Sequence, residues 1–139
     1  MTDFALDASV VMAWCFQDEA GPYADALLER LPASAGSTAV VPAIWPFEVA
    51  NALMIAMRRG RISRSEIDAF VGLLATLQIE VEPPAPSRIF SAVLSLASEC
   101  ELSVYDASYV ETALRRGIAL ATLDRKLLAA AKKLDIARA

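Results

Sequence analysis

At 139 residues the chain has the length of one domain, residues 1–139, and is long enough to bury a single sizeable core. It contains no histidine, which excludes a Ser-His-Asp triad, a Cys-His pair and any imidazole base, and its two cysteines, Cys15 and Cys100, are too few for a four-cysteine zinc site or a disulfide framework. A net charge of −4 has the wrong overall sign for a nucleic-acid binder, although a local basic face is compatible with an acidic total, so chemistry is left to carboxylates, hydroxyls, amines or a hard metal ion.

In chain order, Phe4-Ala5-Leu6 reads as a first strand leading into Asp7, and Ser9 to Gln17 as a mostly buried helix. A second helix spans Gly21 to Leu31, followed by a Pro/Ala/Ser/Gly loop and a strand at Thr38 to Val41. Pro46 suits the first helical turn, where its missing N–H costs nothing, so a helix runs from there to Arg59 and stops at Gly60. Ser63 and Glu66 have capping-box spacing, with Ile67, Phe70, Val71 and Leu74 following at helical period. Ile79 to Glu82 reads as a strand, Ser87 to Glu99 and Val104 to Arg116 as helices, and Gly117 closes the latter. A strand at Ile118 to Ala121, a helix from Asp124 to Leu134 and a short edge strand at Ile136 to Arg138 complete the chain. Strands alternating with helices of this length predict an α/β fold with a mostly parallel sheet covered on both faces.

The apolar fraction of 56% is high for a small domain and raises the question of a membrane. The most apolar window, Ala39 to Met57, still contains Pro42, Pro46 and Glu48, and an acid near a bilayer centre costs about 2.5–3.5 kcal/mol. A strand, a turn and a buried helix fit it better, and no membrane association is expected. Met1-Thr2-Asp3 begins no basic or apolar leader, so the expected location is the cytoplasm, with reduced thiols.

Four acids stand out by position. Asp7 follows the first strand and Asp124 the Ile118 to Ala121 strand, while Glu48 and Asp106 fall in the first turns of two helices. In a parallel sheet, residues just past the strand ends gather at one edge, where ligands bind at the reversal of strand order. Helix capping explains each acid singly, and Ser103 with Asp106 even has capping-box spacing. It explains neither the recurrence of acids at these positions nor the apolar neighbours of Glu48, Phe47 and Val49, with Asn51 one turn on. Two carboxylates at about 4 Å repel by roughly 4 kcal/mol at an effective dielectric of 20, so such a cluster takes up protons or binds a cation. Oxygen ligands favour Mg²⁺ or Mn²⁺, and that points to phosphoester chemistry in which metal-activated water is the nucleophile.

The segments LDASVVMAWCFQDE (Leu6 to Glu19), VPAIWPFEVANAL (Val41 to Leu53), RRGRIS (Arg58 to Ser63), LSVYDASYVETAL (Leu102 to Leu114) and ATLDRKLLAAAKKL (Ala121 to Leu134) together resemble the PIN-domain family. Within it, they look like the VapC-type toxin ribonucleases of bacterial toxin-antitoxin pairs. The resemblance implies a three-layer α/β/α sandwich with strand order 3-2-1-4-5. It implies that Asp7, Glu48, Asp106 and Asp124 form an acidic Mg²⁺ or Mn²⁺ site, with the hydroxyls of Ser9 and Thr122 beside it and Asn51 as a polar neighbour of Glu48. The implied activity is endonucleolytic cleavage of RNA. The implied partners are an RNA substrate, a cognate antitoxin lying along an apolar groove, and a second copy of the chain in a homodimer. Trp14, Phe16, Trp45, Phe47, Leu53, Met54 and Met57 are candidates for such apolar surfaces, with an ordinary core as the alternative. Arg58, Arg59, Arg61, Arg64, Arg115, Arg116, Arg125 and Lys126 are candidates for a basic face, or are solvated helix ends. Asp135 departs from the family, which often has glycine there.

A catalytically silent PIN-like module that binds RNA or protein is the non-enzymatic alternative. A phosphoryl-accepting receiver-like domain shares length and architecture, but needs an acceptor Asp after the third strand, where Glu82 is followed by Pro83-Pro84. A haloacid-dehalogenase-like phosphatase needs a second Asp where Ser9 stands.

Overall fold

The strands are three residues long, too short to persist alone, and their stability comes from pairing in one sheet. The computed structural model describes residues 2–139, the side chain of Gln17 excepted; Met1, where the leader-free reading begins, lies outside them. Strands β1 (Phe4–Leu6), β2 (Ala39–Val41), β3 (Ile79–Val81) and β4 (Ala119–Ala121) are all parallel, in the order β3-β2-β1-β4. Phe4 lies opposite both Ala39 and Ala119, and Ala39 opposite Ile79. The central strands β1 and β2 are buried throughout, as continuous apolar runs in a two-sided sheet must be, whereas β3 at the edge is partly exposed.

The expected fifth strand is reduced to one parallel bridge between Leu120 and Arg138. The Leu120 N–H donates to the Ala137 carbonyl at 2.9 Å, and the Ala139 N–H to the Leu120 carbonyl at 3.0 Å. The chain reaches this bridge through Asp135, at φ +56°. That is the left-handed region where glycine is unstrained and a short polar side chain is next best, which accounts for the departure at this position.

Helices flank the sheet as a three-layer α/β/α sandwich. On one side α1 (Ala8–Cys15) packs with α2 (Pro22–Leu28) and α3 (Trp45–Arg58). The predicted extension of the first helix to Gln17 fails because Phe16 turns extended, at φ −112° and ψ 121°, and a 3-10 turn, Gln17–Glu19, follows. Helix α2 is likewise shorter than predicted, starting on its proline and ending at Leu28. Helix α4 (Arg64–Ala75) opens with the predicted capping box: the Ser63 hydroxyl accepts the Glu66 N–H at 3.2 Å, and the Glu66 carboxylate accepts the Ser63 N–H at 3.1 Å.

The predicted helix from Ser87 to Glu99 is not one regular helix. It consists of α5 (Pro86–Arg88), a π turn (Ile89–Val93) and α6 (Leu94–Cys100). Helix α7 (Val104–Arg116), closed by Gly117 at φ +63°, crosses β1, β2 and β4 and packs against α6 and α8 (Arg125–Lys133). Phe4, Leu6, Val10, Leu120, Leu127 and Tyr109 are fully buried around this crossing. Each apolar side chain there contributes about 1.5–3 kcal/mol over its exposed state. Of the residues considered for partner surfaces, Phe16, Trp45 and Leu53 belong to this core, Trp14, Met54 and Met57 are half-buried, and Phe47 is exposed. Among the described residues no helix is long and apolar enough to cross a membrane.

Candidate active site

Where β1 ends, the Asp7 N–H donates to the Ala121 carbonyl at 3.0 Å, so the exits of β1 and β4 lie side by side. Asp7 occupies the N-cap position of α1, but its carboxylate makes no capping bond of full geometry; the first-turn Ser9 N–H only eases its charge, so capping is not its main engagement. Its Oδ2 instead accepts the Ser9 hydroxyl at 2.6 Å and the Thr122 hydroxyl at 2.8 Å. Each hydroxyl also ties down the loop after β4: Ser9 accepts the Leu123 N–H at 3.0 Å, and Thr122 the Asp124 N–H at 3.0 Å. Asp7 is 6% exposed and Thr122 fully buried. Burial pushes the Asp7 carboxyl up, the two hydroxyls and the Ser9 backbone N–H oppose that, and the charge of Asp124 adds to it.

Asp124 does cap its helix. Its Oδ1 accepts the Lys126 N–H at 2.8 Å and the Leu127 N–H at 3.1 Å, which leaves Oδ2 outside the cap. Asp106, in the first turn of α7, has its N–H held by the Ser103 hydroxyl at 3.0 Å. Its carboxyl is raised by burial and then by the charges of Asp7 and Asp124, with Lys126 opposing.

Glu48, in the first turn of α3, accepts a hydrogen bond from the Tyr109 hydroxyl. Its carboxyl is raised by burial, and further by Asp7 and Asp106, while the Tyr109 bond pulls it down. Tyr109 is fully buried and its own ionisation is driven far up, so it stays a neutral donor. The sequence reading missed Tyr109. Its signal was the spacing Asp106-x-x-Tyr109, which puts both on one face of α7.

The acids therefore sense one another's charge. Among the described residues, however, no three carboxylates are close enough together to grip an ion at once. The donor set of carboxylate and hydroxyl oxygens suits a hard ion held by one or two carboxylates that keeps several of its waters. Asn51 does not join this cluster: it is exposed on α3, and no hydrogen bond ties its side chain to Glu48.

Half of the candidate basic face is already engaged. Arg115 forks onto Glu82 at 2.5 and 3.0 Å and reaches Glu111 at 2.8 Å, while Arg116 joins Glu82 at 3.0 Å to Glu80 at 2.9 Å. Glu82 is buried, and Arg115 holds its carboxyl below the usual range. Arg61 pairs with Asp18 and Glu19 and covers the Phe16 ring at 4.2 Å, and Arg64 pairs with Asp68. Among the described residues Arg58, Arg59, Arg125 and Lys126 make no ion pair.

Comparison with known proteins agrees with this architecture. Exonuclease VapC9 of Pyrobaculum aerophilum is 34% identical over 87 residues, 62% of each chain, so this chain spans less than two thirds of that relative's length. The crystal structure of PAE2754, from the same organism, superposes with a TM-score of 0.68 at 25% identity, covering 93% of this chain and 84% of that one. The PIN domain profile matches residues 4–133, nearly the whole length, and the chain belongs to the PIN-domain family.

Proposed function

We propose that residues 1–139 act as one PIN-like domain, a metal-dependent endoribonuclease that serves as the toxin of a toxin-antitoxin pair. The observation that supports this reading is the electrostatic coupling of Asp7, Glu48, Asp106 and Asp124, three of them pushed up by burial and by one another. Such a site is strained without a cation and relieved by one. When bound, Mg²⁺ or Mn²⁺ supplies an acidified water and polarises phosphoryl oxygens.

The chain's own residues fix where that happens. Ser9 and Thr122 hold Asp7 in one orientation, Tyr109 does the same for Glu48, and the helix cap immobilises Asp124. The fully buried Thr122 and Tyr109 make these orientations properties of the core rather than of mobile side chains. RNA, a cognate antitoxin and a second copy of the chain are the proposed partners, and the cytoplasm is the proposed location.

VapC9 is named an exonuclease, so the mode of cleavage is the point to test. A circular RNA has no end and is cut only internally. Purified protein is expected to open it with Mg²⁺ or Mn²⁺, to stop in EDTA, and to fail as the Asp7→Asn variant while melting as a folded protein. Linear RNA shortened from one end with the circle intact would refute the endonuclease assignment. Cleavage that persists in EDTA would refute the metal site.

A further inference from the structure

Beside the acid cleft lies a cavity of about 540 Å³ whose lining the proposed chemistry does not use. Its walls include Pro42, Pro83 and Pro84 from the loops after β2 and β3, Phe47 of α3, and Val104 and Tyr105 of α7. Two of these rings are left in water: Phe47 is 75% exposed and Tyr105 59%. Each ring directly precedes a cleft acid, Phe47 before Glu48 and Tyr105 before Asp106. Successive residues diverge by about 100° around a helix, so at both helix starts the ring and the carboxylate occupy adjoining faces.

The cavity also holds a cation with donors to spare. Arg88 has one carboxylate neighbour, Glu111 at 3.6 Å, beyond hydrogen-bonding reach, and 42% of its side chain is exposed. The other charged residues of the lining, Glu82, Glu111 and Arg115, are paired among themselves. With Arg88 the four balance, so this is the neutral flank of an acidic cleft in a chain of net charge −4. A polyanion approaching the carboxylates meets least repulsion from this side.

Flat apolar faces, a half-exposed guanidinium whose one carboxylate partner leaves donors unused, and proline-stiffened walls are the chemistry that takes an unpaired nucleotide, its base stacked and its phosphate paired. The volume falls within the range of about 300–1,000 Å³ usual for small-ligand sites. The π turn adds Ile89 and Val93 to the same wall, and such turns recur at functional sites.

We propose that this cavity is a nucleobase subsite for single-stranded RNA, with Phe47 and Tyr105 as stacking surfaces and Arg88 as the phosphate contact. The proposal rests on the RNA-nuclease reading for its ligand and adds to it the residues that grip an unpaired base.

The test is fluorescence anisotropy with a labelled mixed-sequence oligoribonucleotide and its abasic counterpart, in Ca²⁺. Phe47→Ala and Tyr105→Ala each remove an exposed ring, so melting reports an intact fold. Each is expected to weaken binding by about five- to thirtyfold, the lower part of the range for loss of one stacked base. Phe47→Trp is expected to retain binding, and abasic RNA to bind wild type and both alanine variants alike. Mn²⁺ binding, read separately by calorimetry, is expected to be the same in all of them. Equal RNA affinity for wild type and both alanine variants overturns the subsite. So does failure of the wild type to prefer intact over abasic RNA, or a change confined to oligomeric state. Base-dependent binding without cleavage in Mn²⁺ would remove the nuclease reading and leave the subsite, whereas cleavage with unchanged affinities would do the reverse.

Discussion

Replacing Tyr109 with Phe removes one oxygen from a ring that is fully buried on α7 and leaves its apolar packing in place. The lost group is the donor to Glu48, a carboxylate already raised by burial and by the charges of Asp7 and Asp106. A hydrogen bond to a charged group contributes about 1.5–3 kcal/mol. Without it nothing named at Glu48 opposes burial and repulsion, so the carboxylate protonates more readily and its orientation is no longer fixed. Both changes weaken its grip on a cation, and a loss of only about 1.4 kcal/mol is tenfold in affinity. Calorimetric titration of Mn²⁺ into Tyr109→Phe is therefore expected to show at least about tenfold weaker binding than wild type. The metal-free melting temperature should fall by roughly 5–15 °C, since each 1 kcal/mol moves a domain of this size by about 3–5 °C. Unchanged Mn²⁺ affinity with a lowered melting temperature would refute the reasoning and make Tyr109 a core residue only.

Asp7, Glu48 and Asp106 have raised carboxyl groups, so the folded protein binds more protons than the unfolded chain between the ordinary carboxylate range and the raised values. Their contribution to stability is thus favourable in acid and lost as pH rises through the folded values; metal-free protein should melt higher near pH 5 than at pH 7, and Mn²⁺ should reverse that order. The carboxyl of Glu82 is lowered, so its contribution is present above the ordinary range and lost as pH falls through its folded value, which should bring the melting temperature down again in stronger acid. Glu82→Gln leaves Arg115 without its forked partner; because 30% of the Arg115 side chain stays in water, the expected cost by urea unfolding is about 1–3 kcal/mol, below that of a fully buried pair. Glu101, which ends α6 at φ +54°, is exposed, and Glu101→Gly is expected to raise stability by about 0.5–1 kcal/mol, a gain that a lowered denaturation midpoint would contradict.

The strand order came with the family resemblance, whereas the fall of Asp7 and Asp124 just past strand ends was legible because it follows from where apolar runs stop. β1 ends at Asp7, β4 ends two residues before Leu123, and parallel pairing brings those exits together regardless of detail. The capping box at Ser63 was legible for the same reason, its partners being three residues apart. What was not legible depends on contacts between distant segments. Tyr109 reaches Glu48 across 61 positions and Arg115 reaches Glu82 across 33, and neither pairing has a local signature. The engagement of Arg115 and Arg116 by carboxylates removed them from the basic face, which composition alone could not do. The π turn escaped because its one-residue widening leaves the apolar pattern of Ser87 to Glu99 nearly unchanged.

Asp7 and Glu48 are raised, yet each accepts a hydrogen bond from a fully buried hydroxyl that favours its charged form. Were these carboxylates only helix caps, backbone N–H groups would be their main partners, as they are for Asp124, and burial would be unnecessary. Were they only buried polar groups tolerated by the fold, protonation would relieve them at little cost. Hydroxyl donors instead favour the charged form and aim the carboxylates, while burial and neighbouring acids push against that charge. That combination stores repulsion of the kind a divalent cation relieves, and the exits of β1 and β4, where the strand order reverses, are where we propose that the ion binds.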